Sequence, residues 1–295
     1  MKVSFIATVF NEAPAIDDLL DSLDDQTKSP DEIVIVDAGS KDGTVEKIKS
    51  HLLYRQGKIK LLVKPGANRS VGRNLAVKTA TNDLIAVSDA GCRLKPDWLK
   101  LITAPLRKKA VDAVAGFYLP EVENVFQLTS ACFLVVPSKK VDPKTFLPSS
   151  RSIAFKKSAW AKVGGYPEKL KFAEDLVFAQ RLRQHTYMVT EKKALVHWRQ
   201  AKNFFGFFGQ NVNYTSGSVE AWFAPHLKKN LTVPLRYLVF TAVPLLFPVY
   251  LLWPIKKFIF KVKHPLALIY LPLLQVTADM AVLVGLLKGL LVKYS

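Results

Sequence analysis

Polar side chains follow three apolar, strand-like segments of the sequence at the points where these segments end. Asn11 and Glu12 follow the first segment, Asp37 opens a polar stretch at 37–44, and Asp89 follows a later segment. Ligands bind outside the carboxyl ends of the strands in parallel sheets, so these side chains are expected to converge. Carboxylates there could accept hydrogen bonds from a nucleobase or ribose, or hold a divalent cation. The spacing predicts a ligand site at this edge of the sheet.

A further acidic pair, Glu174 and Asp175, begins a helix-like stretch later in the chain. A carboxylate within hydrogen-bond reach of a hydroxyl can take its proton while the oxygen attacks an electrophile. Acids at a helix N-terminus are also favoured by the helix dipole alone. A role as a base and a role at the helix N-terminus are compatible, because the helix dipole would keep Asp175 ionised.

Short strands alternate with amphipathic helices over the first ninety residues. In the first predicted helix, Ile16, Leu19, Leu20 and Leu23 recur at helical spacing. Such alternation predicts βαβ units and a mostly parallel α/β sheet flanked by helices. The predicted strands of this region are Val3–Phe10, Glu32–Asp37, Lys58–Val63 and Leu84–Ser88.

Two apolar stretches near the end of the chain are long enough to cross about 30 Å of hydrocarbon. They are Tyr237–Ile255, which contains three prolines, and Pro265–Leu287, which contains Asp279. Both could span the bilayer, or one or both could dip into a single leaflet with the basic loop between them at the interface. We therefore expect a catalytic domain at 1–224 and a membrane-associated helical region at 225–295.

Composition narrows the class of protein. The 295 residues carry a net charge of +18 and are 49% hydrophobic. A basic segment between apolar runs suits an anionic membrane surface, whereas lysines scattered among many acids in the first 224 residues argue against a nucleic-acid partner.

Cys92 and Cys132 are expected to be reduced thiols. Met1-Lys2 leads directly into a strand, so we expect no secretory signal and a catalytic part on the cytoplasmic side.

The order and spacing of several short motifs resemble the family 2 glycosyltransferases. Each motif is weak alone, but together they cover Val3 to about Gly217. The matching pieces are ATVFNEA (7–13), VDAGSKDGT (36–44), GRNLAVKTA (72–80), SDAGC (88–92), PDW (96–98), GGYPE (164–168), ED (174–175) and the stretch from HWR (197–199) to QNVNYTSG (210–217). The resemblance implies a GT-A, Rossmann-like fold and an inverting, hexosyltransferase-type reaction on a nucleotide sugar.

The resemblance also implies roles for residues on the donor side. Glu12, Asp37, Arg73 and Asp89 match donor nucleotide-binding positions. Asp89 would hold Mg²⁺ or Mn²⁺ with His197, to neutralise the diphosphate leaving group. The family's Asp-x-Asp motif reads Asp89-Ala90-Gly91 here, so one acid is missing.

On the acceptor side, Asp175 matches the family's catalytic base and Glu174 its neighbour. Gly165 lies in an acceptor-side loop, where glycine lets a sugar approach the backbone. Arg199 is a candidate contact for the diphosphate, and Gln210 and Tyr214 for the acceptor. The Gln-x-x-Arg-Trp motif of processive members is absent from this region, which argues against a polysaccharide synthase.

The resulting hypothesis is transfer from a UDP- or GDP-linked sugar to a sugar or polyprenyl-linked acceptor. The catalytic domain would face the cytoplasm at the cell membrane, in contact with membrane lipid. One alternative is a catalytically degenerate membrane scaffold, suggested by the missing acid. Another is a sugar-phosphate nucleotidyltransferase, which would need a glycine-rich phosphate loop where ATVFNEA has no glycine.

Overall fold

The structure is a computed structural model that describes residues 1–294, except the side chains of Lys140, Pro225 and Tyr294. The chain divides into two compact units. The sheet unit comprises Met1–Leu119 and Pro137–Trp198, and the helical unit comprises Pro120–Val136 and the chain from Arg199 onward. The division into domains at residue 224 stays a prediction.

The sheet unit contains one mixed sheet of eight strands. Its strands are β1 (Val3–Val9), β2 (Glu32–Asp37), β3 (Ile59–Val63), β4 (Leu84–Val87), β5 (Cys92–Leu94), β6 (Ala113–Glu121), β7 (Ile153–Lys156) and β8 (Met188–Arg199). Their order across the sheet is β3-β2-β1-β4-β7-β6-β8-β5.

The predicted α/β fold is confirmed, and parallel pairing holds for the first four strands. β1 pairs in parallel with β2 and β4, and β2 with β3. The pairs β4–β7, β6–β7 and β5–β8 are antiparallel. The sheet is therefore mixed, with its parallel part formed by β1 to β4.

Helices cover the faces of this sheet. They are α1 (Ile16–Asp24), α2 (Thr44–Ser50), α3 (Leu52–Arg55), α4 (Arg69–Thr79), α5 (Trp98–Thr103), α7 (Lys157–Lys162) and α8 (Glu174–His185). The helix α6 (Val125–Leu134) belongs to the helical unit. The Asn68 side chain caps α4 by accepting a hydrogen bond from the Val71 amide. Ile6, Val34, Ile85, Phe155 and Phe178 belong to one buried core that fixes α4 and α8 against the sheet.

The helical unit continues with α9 (Phe204–Glu220), α10 (Ala224–Ala242), α11 (Leu246–Val262) and α12 (Ala267–Tyr294). The apolar stretch Tyr237–Ile255 was predicted to be long enough to span a membrane, but in the structure it is divided between α10 and α11. Pro244 lies at the break, where its missing amide hydrogen and its ring disfavour a continuous helix. Within residues 1–294, one helix, Ala267–Lys293, is long and apolar enough to cross a bilayer.

Small residues bring α12 close to α9. A Cβ added to Gly285 would lie 2.6 Å from the Thr215 Cβ, and one added to Gly289 would lie 2.6 Å from the Val219 Cβ. The two glycines are four residues apart, so they occupy one face of α12 and allow close helix packing. Asp279, on the same helix, accepts hydrogen bonds from Tyr250 at 2.6 Å and Gln275 at 3.2 Å.

Candidate functional site

Asp37 ends β2 and is fully buried. Its Oδ1 accepts hydrogen bonds from the amides of Gly39 at 2.8 Å and Ser40 at 2.9 Å, and its Oδ2 accepts one from the Ser40 hydroxyl. Gly39 has a φ of +96°, which favours glycine there. Asp37 therefore shapes the turn after β2, and its role in nucleotide binding stays a prediction.

The loops after β1 and β2 are hydrogen-bonded to each other. The Glu12 amide donates to the Thr44 hydroxyl at 2.8 Å, and the Lys41 amide donates to the Asn11 Oδ1 at 2.9 Å. Asp42 accepts from the Ala13 amide at 3.0 Å. The two predicted polar clusters thus form one connected rim at the carboxyl ends of β1 and β2. The side chain of Glu12 is half-buried on this rim.

Arg73 links the donor-side acid to the acidic pair. Its Nη2 donates to Asp89 at 2.8 Å and its Nη1 donates to Glu174 at 2.7 Å. The side chain is 2% exposed, and its guanidinium lies over the Tyr166 ring, 5.3 Å from the centroid. Arg73 therefore positions two carboxylates, and its predicted contact with the donor stays a prediction.

Asn74, the neighbour of Arg73, holds the loop that contains Gly165. Its Oδ1 accepts hydrogen bonds from the Tyr166 amide at 2.9 Å and the Trp160 indole at 3.0 Å. Its amide nitrogen donates to Glu168 at 2.8 Å. Gly165 has a φ of +70°, and an added Cβ would lie 2.8 Å from the Asn74 Oδ1. The glycine is therefore required for this packing, and its contact with an acceptor stays a prediction.

Asp175 lies in the first turn of α8 and is half-buried. Its Oδ1 accepts from the Leu176 amide at 2.8 Å, and its Oδ2 from the Ser150 amide at 3.4 Å. Burial, and then the negative charge of Glu174, raise the pKa of Asp175 above its ordinary value. A carboxylate with a raised pKa is a stronger base, which suits proton abstraction from a hydroxyl.

Burial alone would raise the pKa of Asp89. The guanidinium groups of Arg73 and Arg151 outweigh this effect and hold the pKa of Asp89 below its ordinary value. Asp89 is therefore ionised at neutral pH. Its side chain is 33% exposed, whereas that of Glu174 is 5% exposed, so Asp89 is the more accessible acid.

Arg151 is a site residue that the sequence did not indicate. Its guanidinium lies 4.0 Å from the centroid of the Trp198 ring and 5.3 Å from that of Tyr118. It acts electrostatically on both Asp89 and Asp175. The one sequence signal is an arginine just before β7, which becomes informative only when the pairing of β7 with β4 is known.

The residues around Asp89 do not fit a divalent-metal site by themselves. Gly91 takes the place of a second acid, and Asp89 already accepts a hydrogen bond from Arg73. His197 pairs with Arg93 across β5 and β8, and side chains alternate along a strand, so it points away from the face that bears Trp198. Within residues 1–294, no group of three His, Cys, Asp or Glu side chains could hold a metal.

The remaining predicted residues belong to the helical unit. Arg199 lies 3.8 Å from Glu121 in an ion pair, and Gln210 donates to the Tyr214 hydroxyl at 3.1 Å along α9. The Tyr214 side chain is 41% exposed. Their roles toward the diphosphate or the acceptor stay predictions.

Comparison with known families identifies residues 4–158 as a match to the model of "Glycosyl transferase family 2". The matched region contains β1 to β7 and the acid Asp89, and it ends before Asp175. It covers more than half of the chain.

Two curated relatives are similar over most of the chain. The O-antigen chain rhamnosyltransferase RfbN of Salmonella typhimurium is 29% identical over 64% of this chain and 63% of its own length. The glycosyltransferase AglE of Haloferax volcanii is 24% identical over 75% of this chain and 74% of its own. The match therefore spans somewhat less than two thirds of the first relative.

The fold is similar to that of the mannosyltransferase PcManGT from Pyrobaculum calidifontis, a structure in complex with GDP-Man and Mn²⁺. The TM-score is 0.69 at 19% identity, over 98% of this chain and 87% of that protein. This likeness confirms the predicted GT-A fold.

Proposed function

The chain belongs to glycosyl transferase family 2, and from that premise we propose that it transfers a sugar from a nucleotide-diphosphate sugar to an acceptor hydroxyl with inversion. The acceptor oxygen attacks the anomeric carbon from the face opposite the diphosphate. The new C–O bond forms as the bond to the diphosphate breaks, and the electron pair leaves with the nucleotide. This single displacement inverts the anomeric centre.

Asp175 is the proposed base, which removes the hydroxyl proton during attack. One observation carries this proposal: the chain of contacts Asp89–Arg73–Glu174 ends beside Asp175. The chain connects the predicted donor-side acid to the predicted base through a buried guanidinium. A site fixed in this way holds the base at a set distance from the donor, which favours reaction.

The donor side comprises the rim formed by Glu12 and the Asp37 turn, together with Asp89. A UDP- or GDP-linked sugar fits the proposal, with the ribose and base on the rim and the diphosphate near Asp89. A divalent cation at Asp89 stays a prediction from the resemblance, and no step proposed here depends on it. Removal of metal with EDTA, followed by addition of Mn²⁺, tests that prediction directly.

The helical unit supports a membrane-bound acceptor such as a polyprenyl-linked sugar. The apolar helix α12 is a candidate span, and α10 and α11 expose large apolar side chains, among them Leu235, Leu238, Val249, Leu252, Trp253 and Phe260. Lysines at 256, 257, 261 and 263 accompany them and suit anionic headgroups. In this proposal the active site faces the cytoplasm at the cell membrane.

A donor screen tests the proposed function. The full chain is incubated with a panel of UDP- and GDP-sugars and native membranes as the source of acceptor, and released nucleoside diphosphate is measured. We expect release with one donor class that depends on the membranes. Absence of both release and nucleotide binding would instead favour the catalytically inactive scaffold.

A further inference from the structure

Helices α10 and α11 form an antiparallel hairpin that turns at Pro244. The centroid of the Phe240 ring lies 5.6 Å from that of Phe247 and 5.2 Å from that of Tyr250. The Arg236 guanidinium donates to the Tyr250 hydroxyl. In a continuous helix, positions ten residues apart such as Phe240 and Tyr250 would be separated by about 15 Å. The chain therefore runs back along itself after the turn.

The two arms of this hairpin are too short to cross a bilayer. Lys229 and Lys256 mark its open end, and between them Arg236 is the one charged side chain of the sequence. At 1.5 Å per residue, Lys229 lies about 20 Å and Lys256 about 15 Å from the turn along its helix. The hydrocarbon core is about 30 Å thick, so one leaflet is about 15 Å deep. Each arm thus has the length of one leaflet.

The tip of the hairpin, residues 238–252, exposes apolar side chains on both helices and at the turn. Leu245, in the turn, is 82% exposed. The other exposed large apolar side chains of the tip are Leu238, Val239, Val243, Leu246, Val249 and Leu252. Soluble monomers rarely expose an apolar patch of this extent. If the hairpin crossed the bilayer, this turn would emerge into water.

The backbone of the turn suits hydrocarbon, where an unsatisfied polar group costs several kcal/mol. The Val243 amide donates to the Val239 carbonyl oxygen at 2.8 Å. The Leu246 amide donates to the Val243 carbonyl oxygen at 3.1 Å. The Phe247 amide donates to the Pro244 carbonyl oxygen at 3.1 Å, and Pro244 itself has no amide hydrogen. These donors therefore need no water.

The charge within the hairpin is compensated. Arg236 lies 3.3 Å from Asp279 of α12 in an ion pair, and the Asp279 side chain is 5% exposed. Asp279 also accepts a hydrogen bond from Tyr250 at 2.6 Å. Charged side chains at membrane depth are tolerated when they are paired within the protein. Arg236 is thus compatible with insertion of the tip.

The open end of the hairpin is basic and aromatic. Its exposed lysines are Lys228, Lys229, Lys256, Lys257, Lys261 and Lys263. The Lys257 ammonium lies 4.2 Å from the centroid of the Trp253 ring, and Trp253 is 47% exposed. Tryptophan is enriched at the membrane interface, and lysines there attract anionic headgroups. A second copy of the chain would bring the same positive charges, which repel, so lipid is the better occupant.

We propose that the α10–α11 hairpin inserts its tip into a single leaflet of an anionic lipid bilayer, with the lysines of its open end at the phosphates of the same leaflet. The inference rests on the membrane location in the proposed function. It adds how the chain enters the lipid: both arms of the hairpin end on one side of the bilayer.

Cysteine labelling of the full chain tests the depth of the tip. Leu245→Cys probes the tip, and Lys229→Cys and Lys256→Cys probe the open end, all at exposed positions. Sealed membrane vesicles of each orientation are treated with a membrane-impermeant maleimide. Wild type, with its buried Cys92 and Cys132, gives the background. We expect both open-end variants to be labelled from the same side, and Leu245→Cys from neither side until detergent dissolves the membrane.

Three outcomes of the labelling would overturn the inference. Labelling of Leu245→Cys from the side opposite Lys256→Cys would show that the hairpin spans the bilayer, and labelling from the same side would leave the tip in water. Protection that persists in detergent, with a dimeric mass by light scattering, would assign the tip to a second copy. The labelling uses no donor or acceptor, so its failure leaves the proposed sugar transfer to the donor screen.

Brominated lipids test the contact with anionic headgroups. The emission of Trp253 is taken as the difference between each variant with and without Trp253→Phe, in bilayers with equal amounts of phosphatidylglycerol and phosphatidylcholine, one of them brominated. Brominated phosphatidylglycerol is expected to quench it about twofold more strongly, because lysines attract anionic lipid. This ratio should fall toward one in Lys256→Gln/Lys261→Gln and persist in the control Lys108→Gln/Lys109→Gln, which lies in the sheet unit. A wild-type ratio of one would overturn the headgroup contact.

Discussion

Arg73 donates a 2.7 Å hydrogen bond to Glu174, a residue 101 positions later in the chain. Glu174 directly precedes Asp175, the proposed base. Arg73, on α4, therefore helps to set the position of this base through its bond to Glu174. The contact is buried, with Arg73 2% exposed and the Glu174 side chain 5% exposed. One guanidinium therefore connects Asp89, the predicted donor-side acid, to the residue that precedes the proposed base.

Replacement of Arg73 by methionine is expected to lower the free energy of unfolding by about 3–5 kcal/mol. The reason is that Glu174 and Asp89 would keep their charges without the buried partner. Arg69→Met, on the exposed side of the same helix, should change it by about 0.5 kcal/mol or less. Urea unfolding followed by circular dichroism makes the comparison. Equal effects of the two substitutions would show that the buried bridge does not stabilise the fold.

The proposed base predicts a specific pH dependence of activity. Burial and the charge of Glu174 raise the pKa of Asp175, and the base must be ionised to accept a proton. Activity should therefore fall as pH decreases through a value above about 3.9, the ordinary pKa of aspartate. A profile of kcat/KM from pH 4 to 8 tests this. An acidic limb at or below the ordinary value would argue against Asp175.

The same pKa shift predicts a pH-dependent difference in stability. A carboxyl group with a raised folded-state pKa stabilises the fold below the unfolded pKa, and this contribution is lost as pH rises through the folded value. Asp175→Asn has no ionisable group there. Its stability relative to wild type should therefore increase from pH 4 to 8. If the stability of Asp175→Asn minus that of wild type stays constant or falls as pH rises, the pKa of Asp175 is not raised in the folded protein.

Gly91→Asp should create the missing metal-binding acid without loss of stability. A Cβ added at Gly91 meets no atom within 4 Å. A second carboxylate near Asp89 is expected to tighten Mn²⁺ binding in the presence of nucleoside diphosphate by about tenfold or more. Electron paramagnetic resonance of free Mn²⁺ measures this, with Gly91→Ala as the control. If the alanine variant binds Mn²⁺ equally well, the added acid does not reach the ion.

Close packing of α9 and α12 predicts opposite effects for two glycine substitutions. In Gly285→Ala the new methyl would lie 2.6 Å from the Thr215 Cβ and 2.8 Å from the Val212 carbonyl oxygen, which costs about 1–3 kcal/mol. Gly209→Ala, on α9, meets no atom within 4 Å and should stabilise its helix by about 0.5–1 kcal/mol. Thermal unfolding of both variants in one detergent compares them. A tolerated Gly285→Ala would refute the packing.

The sequence predicted the fold best where local patterns and pairing agree. Apolar runs and turn residues predict strands β1 to β4 and the acids at their ends. The connections between parallel strands allow few topologies, so the order of these strands is also limited. The antiparallel later strands have no comparable local signal, because pairing such as that of Val87 with Ile153 joins distant parts of the chain. Arg151 was missed for this reason: its neighbour Asp89 is adjacent only through the sheet.

Burial is the second property that the sequence could not supply. The structure shows Arg73 enclosed between two carboxylates, an environment that its place in the sequence does not indicate, and its contact with the donor stays a prediction. The oxygens of Asp37 accept hydrogen bonds from its own turn, which its sequence position did not show, and its role in nucleotide binding stays a prediction. Pro244 lies between α10 and α11, whereas Pro234 and Pro254 lie inside these helices, so the presence of a proline did not by itself show where a helix ends.

The most direct test of the account is the nucleoside diphosphate released by Asp175→Asn compared with wild type, under conditions where wild type uses its preferred sugar nucleotide and native membranes. Removal of a general base is expected to lower release by about a hundredfold to ten-thousandfold, while the variant keeps wild-type affinity for the nucleoside diphosphate. Wild-type release from a normally folded variant would contradict the assignment of Asp175 as the base.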